Sequence, residues 1–175
     1  QITLAGVENG TIFQSKTTKV VLYSIGTKHI VAKKTIDSMK KVEFVHEAFV
    51  GKKVINNILK LCPNFVYTLM YREEPYVSYS YRDYPGLFRH SKEKETTLLQ
   101  EYINGPTLQE FLKACTFKAY LEVILSLNCA LLIAQLNYGF VHHDLKPWNI
   151  MVDVLPEPII LDYYIRTENE VDVTY

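Results

Sequence analysis

Four polar side chains near the end of the chain form the most chemically suggestive group in the sequence. Asp144, Lys146 and Asn149 fall in the stretch His142, His143, Asp144, Leu145, Lys146, Pro147, Trp148, Asn149, Ile150, Met151, and Asp162 follows thirteen residues after Asn149. Phosphoryl transfer requires an acceptor for a hydroxyl proton, a cation beside the moving phosphoryl group and hard oxygens of the kind magnesium prefers. One tight loop and one strand end would supply all three. The bland alternative is a turn capped by Asp144 and Asn149 beside a solvated Lys146. It accounts for D-x-K-x-x-N, but not for its position after an apolar helical stretch and before the I-I-L-D run that closes on Asp162.

This stretch resembles the catalytic loop of protein kinases, H-R-D-L-K-P-x-N with an aspartate-led D-F-G downstream. The resemblance implies ATP and magnesium as cofactors. It makes Asp144 the catalytic base or hydroxyl-orienting carboxylate, puts Lys146 on the γ-phosphate, and makes Asn149 and Asp162 the metal ligands. Val31, Ala32, Lys33, Lys34 look like the V-A-I-K strand whose lysine grips the α- and β-phosphates. On a period-two strand Ile30, Ala32 and Lys34 share a face, so Lys34 is the expected phosphate lysine and Lys33 points away. Glu47, thirteen residues beyond Lys34, is the expected helix carboxylate for that lysine, with Glu43 the poorer choice at nine. Gly10 and Ile12 belong to the closing G-x-I-F of a reduced glycine-rich loop over the nucleotide. Gln100, Glu101, Tyr102 and Ile103 resemble the hinge, where backbone groups of Glu101 and Tyr102 or Ile103 would read adenine.

The pattern also departs from that family. His143 stands where arginine is usual, which argues against control through an arginine–phosphate contact. Tyr163 and Tyr164 replace the Phe and Gly of D-F-G, and no A-P-E follows before Tyr175. The resemblance therefore covers an N-terminal lobe and the first part of a C-terminal lobe: a C-terminally truncated kinase, or a reduced one completed by something else. Lys146 and Pro147 after Asp144 favour the serine/threonine type, acting on a protein substrate. A pseudokinase scaffold and a small-molecule kinase of the aminoglycoside or choline type are the competing readings. Residues 44–51 and 63–65 further resemble kinase-like proteins of large DNA viruses.

The elements that must position these residues read as an α+β, two-lobe arrangement, with residues 1–103 as a small antiparallel lobe and 104–175 as a partial helical lobe. Short β-branched runs predict strands at 11–13, 20–24 and 29–34. Residues 42–61 predict one amphipathic helix, broken near Gly51 and ended by Cys62 and Pro63. Strands are expected at 65–71 and 96–103, with a surface excursion between them holding Tyr76, Tyr79, Tyr81, Tyr84, Pro85 and Gly86. Helices at 108–114 and 117–138 follow, then short strands at 150–152 and 159–161. No internal repeat is evident.

Nineteen basic and nineteen acidic side chains give no net charge, so the sequence offers no field for nucleic acid or anionic lipid. Cys62, Cys115 and Cys129 are too few and too dispersed for a disulfide framework or a CxxC metal site, and read as free thiols in a reducing, cytoplasmic setting, including that of an infected host cell. The start at Gln1 has no basic flank or apolar run, so no signal peptide is expected. The uncharged stretch 123–141 approaches membrane-spanning length. Ser126, Asn128, Gln135 and Asn137 interrupt it and no basic cluster flanks it, so a buried helix is expected.

Overall fold

The computed structural model describes residues 7–79, 88–157 and 159–163. Tyr81, Tyr84, Pro85, Gly86 and Tyr164 therefore lie outside the described residues. The chain divides into two compact units, residues 1–52 with 67–102, and residues 53–66 with 103–175. The second unit takes 53–66 as well as 103–175, so neither unit is a single run of sequence.

The first unit is a five-stranded antiparallel sheet in the order β1-β2-β3-β5-β4. Its strands are β1 (Val7–Gln14), β2 (Lys19–Ile25), β3 (Lys28–Thr35), β4 (Thr68–Tyr79) and β5 (Phe88–Glu101). Beyond the two short strands expected at 65–71 and 96–103, β4 and β5 run on through much of the tyrosine-rich excursion, pairing from Thr68↔Gln100 to Tyr79↔Phe88. The ladder satisfies backbone groups that a long loop would leave to water. A register shift between Pro75 and Val77 absorbs a proline that cannot donate to it.

Helix α1 (Ser38–Val50) begins where the Asp37 side chain accepts hydrogen bonds from the backbone N–H groups of Met39 and Lys40, at 2.8 and 3.1 Å. It lays Phe44 and Ala48 on Leu98 and Tyr71 of the sheet. The opposite sheet face buries Val21, Tyr23, Ile30, Ala32 and Leu99. The helix does not break at Gly51. It widens into a π turn (Gly51–Ile55) and continues as α2 (Asn56–Ile58). Gly51 is required by close approach, because a Cβ there would overlap the Thr68 side chain on β4.

The core of the second unit gathers Ile58, Cys62, Cys129, Ala130, Ile133, Ala134 and Tyr163, with Phe65, Phe140 and Leu161 packed against it. Helix α3 (Leu108–Phe111) is shorter than expected and starts on a reciprocal capping box, Thr107 with Glu110. Helix α4 (Phe117–Tyr138) is long and apolar enough to cross a membrane by length and composition. One of its faces supplies Cys129, Ala130, Ile133 and Ala134 to the core, whereas Leu121, Leu125, Leu132 and Leu136 stand exposed. In place of a strand at 150–152 there is a single antiparallel bridge, Met151 to Thr107. No strand forms at 159–161: no partner strand exists for it among the described residues, and Ile160 is 91% exposed.

Candidate functional site

The loop after α4 is shaped by its own hydrogen bonds. The helix ends at Gly139, whose N–H donates to the Gln135 carbonyl at 2.8 Å. Phe140 then anchors the chain edge-on against Phe65 and His142, with ring centroids 6.0 and 6.1 Å apart. Nδ1 of His142 accepts the Asp144 N–H at 3.2 Å. Residues Pro147–Asn149 form a 3-10 turn, in which proline fits because its first N–H has no helical partner to lose.

That turn folds three of the expected residues together. Lys146 makes an ion pair with Oδ1 of Asp144. Asn149 Nδ2 donates to Asp144 Oδ2 at 2.8 Å and to its backbone carbonyl at 3.0 Å. The Lys146 ammonium also lies 5.8 Å from the Trp148 ring centroid. The Lys146 hydrogen bond holds the Asp144 carboxyl below the usual aspartate range against an opposing desolvation, with help from the Lys146 charge and Asn149. Asp144 is thus a persistent carboxylate, suited to accepting and aiming a hydroxyl and weak as an abstractor of protons in the ground state.

The residues after the loop are clamped to the start of α3. Leu108 N–H donates to the Ile150 carbonyl at 2.8 Å and Val152 N–H to the Pro106 carbonyl at 2.9 Å. Gly105 lies so close to this segment that a Cβ would overlap the Val152 carbonyl oxygen. The capping box beside it keeps Glu110 ionised, its carboxyl lowered by the Thr107 backbone and hydroxyl bonds.

Asp162 sits exposed in an extended stretch between the partly buried Leu161 and the buried Tyr163. Tyr163 is 4% exposed, and its hydroxyl donates to Asn64 Oδ1 at 2.9 Å. Among the described residues no cluster of three or more His, Cys, Asp or Glu side chains is placed to hold a metal. Magnesium does not need one, since it commonly takes one or two protein oxygens and completes its shell with water and phosphate. The donor chemistry fits that ion: Asp162 offers a hard carboxylate, and Asn149, whose Nδ2 is engaged by Asp144, keeps Oδ1 outside that bond.

In the first unit the expected Lys34–Glu47 pair is not formed. Lys33 Nζ lies 2.5 Å from Glu47 Oε1, and Gln100 Nε2 donates to the same oxygen at 3.2 Å. The register explains the exchange. Lys33 pairs directly with Leu98, and Leu98 packs on α1, so the two share the helix-facing side of the sheet. Lys34 does share a face with Ile30 and Ala32, as alternation requires, but that face looks away from α1. There it lies 3.5 Å from Glu95 and 5.5 Å from the Tyr23 ring centroid. Burial pulls its pKa down, but Tyr23 and Glu95 raise it by more. Glu43 is occupied by Lys40, at 2.7 Å.

The turn between the first two strands lies beyond the glycine segment. Gly10 and Ile12 are in strand β1, with Gly10 at φ 135° beside a register shift, and the turn to β2 is made by Ser15 and Thr18. At the hinge, Glu101 closes β5 and its N–H donates to the Tyr67 carbonyl at 2.9 Å. Tyr102 meets His29 edge-on at 5.9 Å, and the Ile103 carbonyl accepts from Gly105 N–H at 3.1 Å. The Gln100–Glu47 and Tyr163–Asn64 bonds are not foreshadowed by the sequence, because each joins residues dozens of positions apart.

No protein-family model matches the chain. It is 56% identical over 167 residues to uncharacterized protein 035R of Invertebrate iridescent virus 3, and 33% identical over 172 residues to uncharacterized protein 179R of Invertebrate iridescent virus 6. In each case 93% of this chain aligns, but it spans only 15% and 13% of those relatives' lengths. Among solved structures it superposes on the kinase domain of PF14_0431 with a TM-score of 0.59, at 18% identity, covering 97% of this chain and 46% of that one. The Mycobacterium tuberculosis PknI kinase domain gives 0.52 at 15% identity, covering 87% and 57%. The chain thus has the fold of part of a protein-kinase domain.

Proposed function

Given a kinase-like fold, we propose that this chain is the nucleotide-binding portion of an ATP- and magnesium-dependent phosphotransferase that acts on serine or threonine hydroxyls of proteins. The carrying observation is the single turn that brings Lys146 and Asn149 onto the two carboxylate oxygens of Asp144. In this reading the protein hydroxyl donates its hydrogen bond to Asp144, which takes the proton as the oxygen–phosphorus bond forms and ADP leaves. Lys146 exchanges part of its bond to Asp144 for the transferred phosphoryl group. Asn149 and Asp162 would hold magnesium, which would supply charge neutralisation on the phosphate oxygens. Lys33, paired with a Glu47 carboxylate that Gln100 also holds, is the strand ammonium proposed for the nucleotide phosphates, and Glu101, Tyr102 and Ile103 offer backbone groups to adenine. The viral origin of the relatives and the free thiols Cys62, Cys115 and Cys129 support action inside an infected host cell.

The test is transfer of labelled phosphate from ATP to a generic protein acceptor, present in the wild type and absent in Asp144→Asn. One observation favours a scaffold that binds nucleotide without turnover: Gly10, expected to admit phosphates to the backbone, is locked in strand β1. Thermal stabilisation by ATP with magnesium, without any transfer, would support that second reading.

A further inference from the structure

Tyr163 stands directly after the exposed Asp162, yet it is among the most buried aromatic side chains described. Its ring packs with Ile58, Cys62, Cys129 and Ile133. A buried phenol needs a hydrogen-bond partner, and here its hydroxyl finds Asn64 Oδ1 at 2.9 Å, ninety-nine residues earlier in the chain. Residues 159–163 belong to no strand or helix, so no ladder fixes their direction. What fixes it is the alternation Leu161 inward, Asp162 outward, Tyr163 inward.

We infer that Tyr163 is a positioning residue, whose hydroxyl bond to Asn64 sets the direction in which Asp162 presents its carboxylate. A ring held only by apolar packing can tilt or slide within its pocket. One tied at its far end cannot do so without breaking the bond. The aspartate next to it is thereby kept facing outward, without help from the flexible glycine that other sequences of this pattern carry two residues after the aspartate. The inference rests on the metal-ligand role proposed for Asp162.

Asn64 is exposed, so Asn64→Ala removes the acceptor without opening the core, and Tyr163→Phe removes the donor while keeping the ring. The measurement is Mn2+ affinity by electron paramagnetic resonance in the presence of a non-hydrolysable ATP analogue, alongside analogue affinity without metal and thermal unfolding. Each single variant is expected to weaken Mn2+ binding about tenfold, the scale on which groups orienting a ligand act. The double variant should weaken it no further, and metal-free nucleotide affinity should stay unchanged. If both singles bind Mn2+ like the wild type while Asp162→Asn weakens it, Tyr163 is packing alone and the inference is overturned. If Asp162→Asn also binds like the wild type, the metal role of Asp162 is lost, and the inference falls with it.

Discussion

Lys33 and Glu47 meet at 2.5 Å on the helix-facing side of the sheet, while Lys34, one residue on, lies 3.5 Å from Glu95 on the other side. Adjacent lysines on one strand are thus committed to different partners. With side chains 34% and 38% exposed, the Lys33–Glu47 pair contributes at most about 1 kcal/mol to stability, so its value lies in geometry.

Single substitutions should separate the two lysines. Lys33→Met is expected to lower phosphate transfer by roughly 100-fold through loss of the ammonium and of its tie to Glu47 on α1. Lys34→Met should lower it far less. Parallel kinetics on the two variants decide the matter, and the reverse ranking would return the phosphate role to Lys34.

Asp144 should give the pH profile a low acid limb. Its carboxyl is depressed in the folded chain, chiefly by Lys146, so the favourable interaction is fully present above the unfolded aspartate's pKa and lost as pH falls through the folded one. Transfer activity should therefore hold down to the bottom of the ordinary aspartate range. Lys146→Ala should move the acid limb upward as well as lowering the rate. A limb that stays in place would show that Asp144 is not the group titrating.

Gly105→Ala should destabilise the second unit by about 1–3 kcal/mol, the usual scale for forced overpacking, because the new methyl meets backbone and not a side chain that can swing away. Chemical denaturation would measure it. Activity should fall with it, since the Val152 segment that the methyl would displace directly follows the turn holding Asn149.

The exposed leucines of α4 should make the isolated chain self-associate. Leu121→Glu with Leu125→Glu is expected to shift sedimentation toward monomer while changing stability by only about 0.5 kcal/mol. Loss of folding in that variant would show that this face is packed in solution.

The cluster of Asp144, Lys146 and Asn149 was legible because it is local: the three lie within one turn, and spacing alone brings them together. Lys33 was misread for a physical reason. Alternation assigns residues to two faces, but which face meets α1 is settled by the Lys33↔Leu98 register, a relation between distant strands. The strand at 159–161 failed similarly, since β-branched composition cannot provide a pairing partner. Gly10 looked like a loop residue because glycine marks turns and bulges alike. Tyr163–Asn64 and Gln100–Glu47 left no local trace at all.

The length of the β4–β5 hairpin divides one strand into two mechanical regimes. Residues 96–101 of β5 are flanked by β3 on one edge and β4 on the other, whereas 88–95 pair with β4 alone. Amide hydrogens in the inner part can exchange only when the whole sheet opens. Those of the outer ribbon need only a local unzipping, so exchange rates should climb steeply within a single continuous strand, with the step falling at Thr96.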